Sequence, residues 1–156
     1  MMIGTTAKLL RPLLLGLLAS ALLGCSDPPT PPEEAVRGWV ALGYQLAEDQ
    51  DRRGLMDLIS PAYADARGNE KSDIDKMFRF YFLRANGISL LPKIDDVRVF
   101  GETAAEVDLT VGLAATHDGV LGFSADAYKF ELELVRDGDD WLLISGRWGE
   151  LGDKVH

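Results

Sequence analysis

The sequence predicts an α+β domain in which three N-terminal helices pack on an antiparallel sheet of four to five strands. Two observations support this class. Apolar residues recur at helical spacing in the first half of the chain, and from Ile88 onward they alternate with polar residues. Alternation is typical of antiparallel strands with one buried face and one solvated face. The length of 156 residues corresponds to about one domain.

The first helix is predicted over Pro31–Gln50. Thr30 and Glu33 have capping-box spacing, and Pro31 occupies the first helical position, which favours proline. The apolar residues at helical spacing are Val36, Trp39, Val40, Gly43, Leu46 and Ala47. They predict that one side of this helix faces the core.

The second helix is shorter and is predicted over Arg52–Ile59. Leu55, Leu58 and Ile59 would be buried, and Ser60-Pro61 would end the helix because the residue before a proline avoids helical geometry. An extended segment is then expected to lead into the third helix.

The third helix is predicted from Glu70 or Ser72 to Ala85. Ser72 and Asp75 form a weaker capping pair, and Asn86-Gly87 is a stop signal. The helix therefore precedes the point where the apolar period changes.

The middle of the third helix, Met77–Leu83 (MFRFYFL), is apolar on nearly every side. A helix with one packed face needs only one apolar stripe. The pattern therefore predicts either burial on two faces or a functional apolar surface.

Three alternating stretches and one final stretch predict the strands. The alternating apolar sets are Val97 and Val99; Val107, Leu109, Val111 and Leu113; and Tyr128, Phe130, Leu132 and Leu134. The acids between them, Glu106, Asp108, Glu131 and Glu133, are expected on the solvated face. Asp137-Gly138 predicts a turn into a last strand, Trp141–Trp148, with apolar residues on both faces.

The segment Ala115–Ser124 is long for a hairpin loop. It contains Val120, Leu121 and Phe123, so we expect part of it to fold back on the domain or to form a contact surface.

The N-terminal segment has the composition of a secretory signal. Lys8 and Arg11 precede the uncharged run Leu13–Gly24. This run has 12 residues, and a membrane-spanning helix needs about 20. We therefore expect a signal peptide at 1–24, a tether at 25–32, a folded domain at 33–150 and a tail at 151–156.

Leu22-Leu23-Gly24-Cys25 resembles the lipobox of bacterial lipoproteins, and Cys25 is the only cysteine in the chain. The resemblance implies acylation of Cys25 by palmitate-type chains, which would hold the protein on a membrane of the bacterial cell envelope. Ser26, rather than aspartate, follows the cysteine, which implies the periplasmic face of the outer membrane. The proline-rich stretch Ser26–Pro32 would extend about 3.1 Å per residue and hold the domain roughly 20 Å from the anchor.

Charge and motif content limit the function classes. The formal net charge is −9, and loss of Lys8 and Arg11 would make it more negative, so nucleic acid is not an expected partner. His117 and His156 have no partner at metal-ligand spacing. No hydrolase triad order or glycine-rich phosphate loop is present in the sequence, so we expect no metal and no cofactor.

The order of elements and the stretch LMDLISPAYADARGNEKSDIDKMFRFYF (Leu55–Phe82) resemble the nuclear transport factor 2-like, or cystatin-like, α+β cone of polyketide cyclases and ketosteroid isomerases. The resemblance covers Glu33–Glu150 and lacks a catalytic signature. It implies a curved sheet that wraps the third helix and leaves a pocket, and it often implies a homodimer through the outer face of the sheet. This fold hosts enzymes, binding modules and assembly factors.

Tyr63, Asp65 and Arg67 alternate with alanines between the second and third helices. An extended backbone would place these three side chains on one side. They would either bind a polar headgroup or position an acid at the mouth of a pocket, or Asp65 and Arg67 would form a structural pair.

Other candidate ligand-binding residues are aromatic or basic. Tyr81 and Arg84 lie on the third helix, Tyr128 is in phase with an apolar strand face, and Trp148 ends the last strand.

Three functions remain open from the sequence. The favoured one is a lipid-anchored, non-catalytic envelope protein that binds an apolar small molecule or a partner protein. The second is an isomerase or cyclase with Asp65 as the base and Tyr63, Tyr81 or Tyr128 as the donor, which requires a desolvated Asp65 with a raised pKa. The third is a structural interaction module.

Overall fold

The computed structural model describes residues 30–117 and 122–156. The predicted signal peptide, Cys25 and the tether up to residue 29 lie outside the described residues, as do the side chains of Val120, Leu121 and Phe123. Within the described ranges, no helix has the length and hydropathy needed to cross a bilayer.

Three helices precede four strands. The helices are α1 (Pro32–Glu48), α2 (Arg52–Asp57) and α3 (Lys71–Phe82), and the strands are β1 (Ala85–Phe100), β2 (Ala104–His117), β3 (Gly122–Asp137) and β4 (Asp140–Glu150). The strands form one antiparallel sheet in the order β1-β2-β3-β4. This arrangement confirms the predicted α+β class.

The strand register places the apolar residues on one face of the sheet, which we call the inner face. Val107 lies opposite Val97 on β1 and Leu132 on β3, and Leu109 lies opposite Phe130. Because side chains alternate between faces, the acids between these residues lie on the outer face, as predicted.

The inner face packs against α1. Val36 and Val40 of the helix are 0% and 3% exposed and lie in one cluster with Val107, Leu134 and Trp141. Fully burying an aliphatic side chain of this size contributes about 1.5–3 kcal/mol. The contact between α1 and the sheet is therefore the main core of the domain.

Two predicted helix caps are wrong. The N-cap of α1 is Pro31, which has no side chain to accept a hydrogen bond, and Glu33 instead bonds Arg37 one turn later at 2.9 Å. The capping box of α3 is formed by Glu70 and Asp73 rather than by Ser72 and Asp75.

Two predicted loop boundaries also differ. The α3 cap is Leu83 and β1 begins at Ala85, so Asn86-Gly87 lies in the strand, at a register shift against β2, rather than ending the helix. The strands β2 and β3 pair as far as His117 and Gly122, so most of the predicted loop Ala115–Ser124 is strand. Backbone pairing to β2 and β3 outweighs the turn propensity of these short segments.

Residues of the helical half of the chain form hydrogen bonds with both edge strands of the sheet, β1 and β4. The carboxylate of Glu48 accepts a hydrogen bond from the backbone N–H of Leu90 at 2.8 Å, and the side-chain amide of Gln50 donates to the carbonyl of Ala85 at 3.1 Å. On β4, the backbone N–H of Ser60 donates to the carbonyl of Leu143 at 2.9 Å. Covered edges leave fewer free groups for pairing with another chain.

The C-terminal segment also pairs with β4. The backbone N–H of Trp148 donates to the carbonyl of His156 at 3.3 Å, and the last residues contact Gly149.

Gly38 and Gly138 both have open space around them but differ in backbone geometry, so their alanine variants test the helix and turn assignments. A Cβ at Gly38 in α1 or at Gly138 in the β3–β4 turn would meet nothing within 4 Å, but Gly138 has φ +62°. Gly38→Ala should raise the free energy of unfolding by about 0.5–1 kcal/mol, because alanine favours a helix. Gly138→Ala should lower it by about 1–2 kcal/mol, because a Cβ opposes positive φ. Urea denaturation measures both, and equal signs for the two variants would contradict these helix and turn assignments.

Candidate functional site

Asp65 is the centre of a tight turn between α2 and α3. Its carboxylate accepts hydrogen bonds from the backbone N–H groups of Arg67 and Asn69, both at 2.9 Å, from the Asn69 side-chain amide at 2.8 Å and from the Tyr63 hydroxyl at 3.2 Å. These groups hold the chain in one conformation, as an aspartate does in an Asx turn.

The ionised form of Asp65 is favoured. Partial burial opposes ionisation, but the hydrogen bonds from Asn69, Arg67 and Tyr63 outweigh it and lower the pKa of Asp65 below its ordinary value. A general base in an apolar cavity needs the opposite shift. The expectation of a desolvated Asp65 with a raised pKa is therefore wrong.

Tyr63 joins this turn to a second, smaller core. It is 3% exposed and packs with Ile59 and Ile74. Burial, followed by the negative charge of Asp65, raises the pKa of the Tyr63 hydroxyl far above its ordinary value. The hydroxyl therefore stays protonated and donates to Asp65.

Arg67 does not form the expected side-chain pair with Asp65. Its guanidinium lies 4.6 Å from the ring centroid of Trp148 and donates to the Trp148 carbonyl at 2.7 Å. A cation over an indole ring is stabilised by the ring's electron density. The structure thus brings Tyr63, Asp65, Arg67 and Trp148 together as a chain of contacts, but only the backbone N–H of Arg67 touches Asp65.

Tyr81 of α3 lies near the hydroxyl of Tyr128 on β3. Burial, and then the nearby Tyr81, Asp126 and Glu150, raise the pKa of Tyr128. The ring of Tyr128 lies 6.4 Å from that of Phe130 on the inner face. This pair links α3 to the rim of the apolar face.

Asp126 and Glu150 are rim residues that the sequence interpretation missed. Asp126 is in phase with Tyr128 along β3, and Glu150 lies opposite Tyr128 on β4; both are exposed. The alternation that singled out Tyr128 would have included Asp126, and the pairing of β4 with β3 is needed to find Glu150.

Two further polar groups lie inside the domain. The indole N–H of Trp39 and the hydroxyl of Tyr44, both on α1, are enclosed and have no hydrogen-bond partner among the described residues. Burial and the charge of Asp95 raise the pKa of Tyr44 to about 12. Helical spacing predicted Trp39 as a core residue, but no sequence signal marks a buried group that lacks a partner.

The apolar middle of α3 is only partly covered. Phe78 packs in the small core, whereas Phe80, Tyr81 and Leu83 are 54%, 53% and 79% exposed. The guanidinium of Arg84 lies 3.8 Å from the ring centroid of Phe80 on this exposed side. Of the two alternatives for Met77–Leu83, the structure therefore favours an apolar surface.

An open groove of about 910 Å³ lies between α2, residues 61–64 and the first turn of α3. Tyr63 is the predicted site residue that lines it. Arg52 pairs with Asp75 across the groove, and the Lys71 ammonium donates to the carbonyl of Ile59 at 2.7 Å. The lining of the groove has three cations and three acids, so its charge favours neither an anion nor a cation: Arg52, Arg53 and Lys71, and Asp57, Glu70 and Asp75.

Comparisons with known proteins identify the architecture. No protein-family model matches the chain, and no curated protein matches it significantly. Among solved structures, it is similar to a ketosteroid isomerase-like protein from Erwinia carotovora atroseptica, with 10% identity, TM-score 0.67, and coverage of 80% of this chain and 99% of that one.

Two further neighbours carry provisional enzyme names. One is a dehydratase of the nuclear transport factor 2-like family from Streptomyces avermitilis, with 15% identity, TM-score 0.69 and coverage of 81% and 100% of the two chains. The other is a scytalone dehydratase from Novosphingobium aromaticivorans, with 12% identity, TM-score 0.69 and coverage of 79% and 85%. At these identities the likeness defines the fold, and the chain has the nuclear transport factor 2-like fold.

Proposed function

We propose that this protein is a lipid-anchored, non-catalytic component of the bacterial cell envelope that binds an apolar small molecule between its helices and the inner face of the sheet. The main support for a non-catalytic role is that the carboxylate of Asp65 is ionised and hydrogen-bonded within a turn. The acid that a catalytic mechanism would use is held ionised by four hydrogen bonds in a structural turn.

The chemistry of the inner face supports a ligand with an apolar body. Phe130 and Leu132 lie on this face and are only partly buried, and the described acids in phase with them, Asp126 and Glu150, are exposed at its rim. Burial of apolar surface is the driving force available to such a face.

The polar group of Trp39, which has no partner in the part of the chain that the structure describes, suggests that the ligand has at least one atom that accepts a hydrogen bond. The enclosed indole N–H of Trp39 has no acceptor among the described residues, and a buried donor without a partner costs about 1–3 kcal/mol. A carbonyl or hydroxyl of a bound molecule would remove this cost. The Tyr81–Tyr128 pair at the rim offers a second polar contact.

An isomerase- or dehydratase-type enzyme is the second candidate, and the names of the structural neighbours favour it. Such an enzyme needs a group that accepts a proton from an apolar substrate. The lowered pKa of Asp65 weakens that role. Binding without catalysis therefore has the stronger geometric support.

The anchor is tested by replacing Cys25. In the source bacterium, Cys25→Ser should move the protein from the membrane fraction to the soluble fraction, or leave it unprocessed, because the acyl chains provide the attachment. Ser26→Ala is the control and should stay on the membrane. Fractionation with density-gradient separation of the two membranes measures the outcome, and a processed Cys25→Ser protein that remains on the membrane would contradict lipidation.

Ligand binding is tested by native mass spectrometry of the protein purified from its own envelope. A non-covalent additional mass is expected, and Trp39→Phe should lower the ratio of bound to bare protein about fivefold, the loss expected for one hydrogen bond of about 1 kcal/mol. Trp141→Phe, at another buried tryptophan of the same core, is the matched control. A species that is always bare, or an equal loss in both variants, would contradict the proposal.

A further inference from the structure

The exposed side of α3 has an unusual combination of side chains. We call the stretch Lys76–Arg84 (KMFRFYFLR) the α3 surface. Met77, Phe80, Tyr81 and Leu83 in it are 38–79% exposed. Soluble proteins rarely expose several large apolar side chains together unless the surface binds something.

The helical geometry places these residues side by side. At 100° per residue, Lys76, Met77 and Phe80 lie on the outward arc of α3. Leu83 and Arg84 follow in the turn directly after the helix, where the Arg84 guanidinium lies 3.8 Å from the ring centroid of Phe80. Ile74 and Phe78, one turn apart, pack in the small core instead. The α3 surface is therefore separate from the stripe that holds the helix to the domain.

The residues of the stretch Lys76–Arg84 carry a net positive charge, whereas the chain as a whole is negative. The α3 surface contains three cations and no acid, whereas the whole chain has 25 acids against 16 cations. Lys76 pairs with Asp73 at 2.8 Å, and Arg79 makes no ion pair among the described residues. A cluster of exposed aromatic and basic side chains complements a surface with negative headgroups above an apolar layer.

We propose that the α3 surface docks on anionic phospholipid, with Phe80 and Leu83 entering the headgroup–acyl boundary and Arg79 contacting phosphates. This inference rests on α3 alone and does not require the proposed ligand or the acyl chains on Cys25.

The position of the α3 surface gives the docked domain an orientation. Gln50, just beyond the C-terminal end of α1, bonds the carbonyl of Ala85, directly after α3. Pro31 is at the other end of α1, about 25 Å away for 17 residues. With the predicted tether of about 20 Å, the anchor and the α3 surface would touch the same bilayer only if α1 is tilted enough to bring Pro31 within about 20 Å of it.

The test uses the full chain and its single cysteine. In a Cys25→Ser background, Leu83→Cys carries an environment-sensitive fluorophore, and Asp139→Cys in the β3–β4 turn is the matched control. Tyr128 of β3 lies near Tyr81 of the α3 surface, and Asp137 lies beside the β3–β4 turn. Asp137 is nine positions after Tyr128, a distance of about 30 Å along the strand. Because both proteins keep the same leader, any general attachment to vesicles affects both labels.

The probes are vesicles of phosphatidylcholine alone or mixed with phosphatidylglycerol, each with brominated acyl chains that quench the fluorophore on contact. The label at position 83 should shift to shorter wavelength and be quenched only with phosphatidylglycerol, and the label at position 139 should not. Arg79→Gln should weaken this response about fivefold, and Arg53→Gln, an exposed arginine on α2, should not.

Three outcomes would overturn the proposal. They are equal responses at positions 83 and 139, a response that does not depend on phosphatidylglycerol, and a wavelength shift that follows protein concentration without vesicles. The last result would mean that a second copy of the chain covers the α3 surface.

Discussion

The alternation of apolar and charged residues along β2 and β3 is the constraint on which the structure depends. With Val107 opposite Val97 and Leu132, the alternating apolar set of these strands lies on the inner face, where Val36 and Val40 pack on it. A slip of one residue would turn the whole set toward solvent. The same register fixes where polar groups can occur, because the centre of the inner face is apolar and the Tyr81–Tyr128 pair lies at its rim.

Charge pairs on the outer face support this register. Arg98 of β1 contacts Glu106 and Asp108 of β2, and Arg147 of β4 contacts Glu131 of β3 at 3.0 Å. Exposed pairs contribute little each, typically below about 1 kcal/mol. Their value here is that they join neighbouring strands, so a shifted register would separate them. The outer face is thus charged and internally paired, in contrast to the aromatic and basic α3 surface.

The sequence predicted the element order, both faces of β2 and β3 and the turn at Gly138, because these depend on local periodicity and turn chemistry. It failed where long-range contacts decide. Thr30 and Ser72 have capping side chains, yet Pro31 and Glu70 are the caps. Asn86-Gly87 has turn chemistry, yet pairing with β2 makes it strand. Arg67 has Asp65 as its sequence neighbour, but only the fold brings it to the ring of Trp148, which is 81 residues away.

The central claim is that Asp65 is a structural anion rather than a base. The most direct measurement is the pKa of its carboxyl group, followed by the carboxyl-carbon NMR shift across acidic pH. We expect a pKa below the ordinary 3.8, because hydrogen bonds favour the ionised form of Asp65. The stability from Asp65 would then be complete well above pH 3.8 and would be lost as the pH falls from there through the lower pKa of the folded chain. Tyr63→Phe removes one donor and should raise the pKa toward 3.8. A pKa well above 3.8 in the unmodified chain would contradict the account and restore Asp65 as a candidate base.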